Sequence, residues 1–187
     1  MSADEQPQDE EPPQVTAIGY ARHAEAYRVA ALRVCPEEEP YSDVGLLMPA
    51  WHLLCHSSEL ALKAYLLSGG ADPSGQKGGL KHYSLRHNLT GLYGLAVARG
   101  FTTSDCYFGD LIAGLAPFHT EHVFRYLKTG RISLPTPHHI GTVLEPVILD
   151  IARTARSRWL ATQEPSRADQ ALREVGLARA LPPDDAE

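Results

Sequence analysis

The chain has 187 residues, 43% of them hydrophobic, with 17 basic and 23 acidic side chains and a net charge of −6. This length suits one compact domain with appended tails. Three cysteines (Cys35, Cys55, Cys106) without a CxxC pair exclude a disulfide or zinc framework, and no apolar run is clean enough to span a membrane.

The charge is unevenly placed. Residues 1–14 (MSADEQPQDEEPPQ) are acid- and proline-rich and are expected to be a disordered tail. The final DDAE adds further acids, so the body between is slightly basic, most clearly over 77–131. That suits a phosphate-bearing partner. Reduced thiols and the lack of a basic-then-apolar leader point to a soluble, cytoplasmic protein.

The domain is expected over 15–162. Its first helix runs from about Val15 to Val34, with Ile18, Ala21, Tyr27, Ala31 and Val34 roughly on one side. PEEEP breaks it, and Ser42 or Asp43 can cap the next. That second helix, Val44 to about Leu67, is apolar almost all round and should be central and buried. Yet His52, His56, Glu59 and Lys63 recur at i, i+4, i+7 and i+11, a single helical face. Buried ionisable groups must be paired, line a cleft or meet another subunit. Glu59 is the residue most expected to be buried and paired, with Lys63 and with a basic group from another helix. His52, His56 and Glu59 are also a weak candidate metal set, short of a fourth ligand.

Ser68-Gly69-Gly70 ends this helix and a loop follows. A third helix is predicted from about Leu85 to Arg99, stopped by Gly100, with His87 packing between helices or capping. Thr103 or Ser104 caps a fourth, about Asp105 to Phe118, with Tyr107 on its apolar side. The segment HVFRYLKTGRISLPTP reads as a partly extended connector. Within it and just before it, His119, Glu121, His122 and Arg125 gather titratable rings beside a fixed charge. Arg125 either binds a phosphate, with His119 or His122 as proton donor, or reaches back to Glu59. A last helix is predicted from His138 to Ala161, with Pro146 as a potential kink and Trp159 on its core side. Residues 163–187 form a tail with a short helix capped by Ser166. The fold class is therefore all-α, a bundle of about five helices.

In order, HSSELALKAYLLSGG (56–70), HNLTGLYGLA (87–96) and HVFRYLKTG (122–130) before a long helix resemble a branch of the HEPN superfamily. The shared pattern is an E-x-x-L-K-x-x-L helix, an H-x-L-x-x-L helix and an aromatic-Arg-Tyr turn, here Glu59 to Leu66, His87 to Leu92 and Phe124-Arg125-Tyr126. The resemblance covers about residues 15–160. It implies an antiparallel helical bundle, often dimeric. Many members are metal-independent ribonucleases or toxin and defence modules. Others bind nucleotides or only mediate association.

Ribonuclease members carry an R-x4-6-H motif, matched in spacing here by Arg131 and His138, although Ile132 and two prolines depart from the usual spacer. The resemblance implies RNA or nucleotide engagement at a basic, His-rich cleft, with Arg131 or Arg125 on the phosphate and His138 moving a proton. No cofactor is implied. Expected partners are a second copy of the chain, RNA or a nucleotide, and a cognate antitoxin or nucleotidyltransferase. The alternatives are a non-catalytic dimerisation or protein-interaction module, and a metal-binding bundle.

Overall fold

A computed structural model describes residues 15–35, 44–103, 105–124, 126 and 133–162. The acidic tail, Ser42, Asp43, Ser104, Arg125, Arg131 and the segment after Thr162 lie outside these. The described residues form five helices and no strand: α1 (Ala17–Val34), α2 (Val44–Ser68), α3 (Leu89–Ala98), α4 (Phe108–Thr120) and α5 (Pro137–Thr162). No helix among them is long and apolar enough to cross a membrane.

The helix ends follow local chemistry. Thr16 Oγ1 accepts the Gly19 amide at 3.0 Å and starts α1. Gly70 and Gly100 take positive φ after α2 and α3. There the Ala71 and Phe101 amides fold back onto the Leu66 and Ala96 carbonyls, which closes both helices.

α3 and α4 begin later than their apolar periodicity predicts. Asn88 Oδ1 accepts from the Gly91 amide at 2.8 Å, so α3 starts after Asn88, and residues 81–87 are turns. Asp105 Oδ1 accepts from the Tyr107 amide at 2.8 Å, and that side-chain turn delays α4 to Phe108. Tyr107 is consequently exposed rather than on the apolar face.

α2 is the axis of the bundle. It packs on α1, α3, α4 and α5, while α1 also packs on α5 and α3 on α4. Its buried residues Ala50, Leu54, Cys55, Ala61, Leu62, Ala64 and Leu66 meet Leu89, Leu92, Leu115, Ile140, Leu144 and Ile148 in one core. Burial of a Leu or Ile side chain contributes about 1.5–3 kcal/mol. Ser57 Oγ donates to the Ala24 carbonyl at 2.7 Å and ties α2 to α1.

Arg28 is a buried charge that the apolar pattern of α1 hides. It pairs with Glu25 and Glu145 and reaches the Gly141 carbonyl on α5. Trp159 departs from its predicted core position and is half exposed, because α5 outruns the core beyond Ala155. The helix continues through Pro146.

Candidate functional site

One carboxylate organises the site. Glu59, in the middle of α2, is 2% exposed, and Lys63, one turn on, is 5% exposed. Lys63 Nζ donates to Glu59 Oε1 at 2.5 Å. The other oxygen, Oε2, receives two rings from distant parts of the chain. His119, buried at the end of α4, brings Nε2 to 2.7 Å, and His87, in the turn before α3, brings Nδ1 to 3.0 Å. His56 on α2 stands with Nδ1 at 3.7 Å from the same oxygen.

Each protein element contributes to this placement. The Lys63 contact is a helical i,i+4 pair. His119 is carried to α2 by the apolar face of α4, formed by Leu111, Ile112 and Leu115. The backbone of His87 is tied to the end of α4 by Thr120 Oγ1, which donates to the His87 carbonyl at 3.1 Å. The chain then turns at His122, whose φ of 54° is the left-handed position that closes α4, with the Val123 amide folding back onto the Phe118 carbonyl. That turn sets the His122 ring 5.2 Å from the His87 ring.

The electrostatics follow from these contacts. Burial alone would raise the Glu59 carboxyl, but the donors His119 and Lys63, the neighbouring His56 and the Lys63 charge outweigh it. They hold it well below the usual carboxylate range. Burial pushes His87 down, and the nearby His119 and Lys63 charges add to that, against the opposing pull of Glu59. A neutral His87 facing an anionic carboxylate must carry its proton on Nδ1. Its Nε2 then keeps a lone pair.

His87 also lines an open groove of about 590 Å³ with Tyr83, Ser84, Arg86, Asn88, Thr120 and His122. Arg86 and Tyr83 are exposed there. Chemically the groove offers a guanidinium, two adjacent imidazoles and several hydroxyl or amide groups. One imidazole is oriented from behind by a buried carboxylate.

The predicted residues therefore divide. Glu59, Lys63, His87 and His119 come together, and His122 stands beside His87. His138 lies half-buried in the first turn of α5, on a different element from the groove. Arg125 and Arg131 fall outside the described residues. Of the candidate metal set His52, His56 and Glu59, His56 Nδ1 stands 3.7 Å from Glu59 Oε2. Among the described residues, the His/Glu group whose ligand atoms lie within 4.8 Å of one another is Glu59, His87 and His119. Tyr83 and Thr120 carry no motif in the sequence. Only the basic cluster His82–Arg86–His87 signals that part of the groove.

Acidification should lower stability in two stages. The folded values of His87 and Glu59 both lie below their unfolded ones, so the unfolded chain binds more protons and stability falls as pH falls. The His87 contribution is fully present above about pH 6.5 and is lost as pH drops toward the folded value; that of Glu59 is lost below about pH 4.3. Urea midpoints measured from pH 8 to pH 3 should show both stages, and His87→Gln should remove the upper one.

No family model, curated protein or solved structure matches this chain.

Proposed function

We propose that this is a HEPN-like helical domain that engages RNA at the His87–His122 groove and cleaves it without a metal ion. The observation that carries the proposal is the Glu59–His87 pair. A buried carboxylate holds the ring through Nδ1 at 3.0 Å, and the ring lines the groove, so Nε2 is the nitrogen left to act as a base. In the reaction His87 Nε2 takes the proton of a ribose 2′-OH as that oxygen attacks the adjacent phosphorus. Protonated His122 gives its proton to the departing 5′-oxygen, and Arg86 pairs with the phosphate oxygens. The products are a 2′,3′-cyclic phosphate and a free 5′-hydroxyl. Proton transfer thus belongs to His87 and His122 in place of His138.

The test is incubation of a single-stranded RNA oligonucleotide with the full chain in the presence of a chelator. Cleavage to a cyclic phosphate end is expected, and intact RNA would sink the proposal. A non-catalytic association module is favoured by one observation, the near-complete burial of Glu59, Lys63 and His119, which suits an architectural role.

The proposal includes a homodimer formed through the long helices, in a cytoplasmic toxin or defence role opposite an antitoxin or nucleotidyltransferase. Leu149, Trp159 and Leu160 are exposed on α5 and supply apolar surface for self-association. Trp159→Glu with Leu160→Glu should convert a dimer to a monomer in sedimentation equilibrium. An unchanged mass would remove α5 as the interface.

A further inference from the structure

The three donor atoms that converge on one point behind the groove have a second chemical use. Glu59 Oε2 stands 3.0 Å from His87 Nδ1 and 2.7 Å from His119 Nε2, and the three residues each offer a ligand atom within 4.8 Å of the others. Ligand atoms of a tetrahedral zinc ion, each about 2.0–2.1 Å from the metal, stand about 3.3 Å apart. To admit the ion, Glu59 Oε2 would have to stand off by about 0.3 Å more from His87 and about 0.6 Å more from His119. Two imidazole nitrogens and one carboxylate oxygen select a borderline divalent cation over magnesium or calcium.

The surroundings suit such an ion in three respects. Lys63 already occupies Glu59 Oε1 and so leaves Oε2 as a single-atom ligand. His87 is the exposed member of the set, its side chain 24% accessible, and gives the ion a path from the groove. The fourth position then falls to water or hydroxide from that side, and hydroxide offsets part of the ion's charge. Neutral imidazoles need lose no proton. Each moves it to the other ring nitrogen, which for His87 is Nε2.

We infer that Glu59, His87 and His119 bind one zinc-class cation, and that its occupation switches off the base at the groove. The switching half rests on the function proposed above; the site itself does not. With the cation on Nδ1, His87 Nε2 carries a proton and can no longer accept one. The cation therefore acts as an inhibitor of metal-independent chemistry, with no part in the reaction.

The experiment is calorimetric titration of the full chain with zinc chloride in a non-coordinating buffer. Wild type and His52→Gln should saturate at one equivalent with equal affinity, while His87→Gln and His119→Gln should each bind at least ten-fold more weakly. Cobalt(II) on wild type gives a measurement independent of variant folding, and intense tetrahedral absorption bands are expected. Failure of wild type to saturate at one equivalent, equal binding by the His87 and His119 variants, or a weak octahedral cobalt spectrum would each overturn the site. Undiminished RNA cleavage by zinc-saturated protein would overturn the switch. Saturable binding at these residues, with no cleavage under any condition, would uphold the site while removing the proposed function.

Discussion

Glu59→Ala is expected to destabilise the protein by about 3–5 kcal/mol, the cost typical of stranding one partner of a buried pair. Lys63 would keep its ammonium at 5% exposure with no counter-charge, and His119 and His87 would lose their shared acceptor. The loss should appear as a lower urea midpoint with an unchanged slope. Removing the ammonium as well separates this cause from simple truncation. Glu59→Gln with Lys63→Met should recover more than half of the loss, because no buried charge then remains. A double variant as unstable as Glu59→Ala would show that the packing, not the charge, was lost.

On the proposed RNA-cleavage reaction, His87→Gln is the second large effect. Loss of a positioned general base costs about 10²–10⁴-fold in rate, and it should fall on kcat with little change in KM, since the ring acts on a proton and not on substrate binding. Arg86→Ala should show the opposite balance, raising KM and weakening the dependence on salt. Both are measured on the same RNA oligonucleotide with chelator present. A His87→Gln enzyme with wild-type kcat would place the base elsewhere.

Part of this site is legible along the chain because it is local. The Glu59–Lys63 contact is fixed by helical geometry alone, and the apolar background around it already requires burial and pairing. The stops at Gly70 and Gly100 are equally local. The partners at Oε2 are not. His87 and His119 lie 28 and 60 residues away, and nothing in the periodicity of α2 says which of nine histidines will arrive. Spacing within one helix therefore favours the nearer His52 and His56, whereas tertiary packing chooses rings from the turn before α3 and the end of α4. The late starts of α3 and α4 have a similar origin. Asn88 and Asp105 compete for backbone amides that the apolar pattern assigns to helix.

The bond from Thr120 to the His87 carbonyl closes a segment that contains all of α3 and α4. That segment is clasped at its two ends, by this bond and by the two rings on Glu59. During folding the clasp must wait for closure of a 60-residue span, whereas Glu59 and Lys63 can meet as soon as α2 forms. The α3–α4 unit is therefore the natural sub-global opening of this molecule, and its amides should exchange together while those of α2 remain protected.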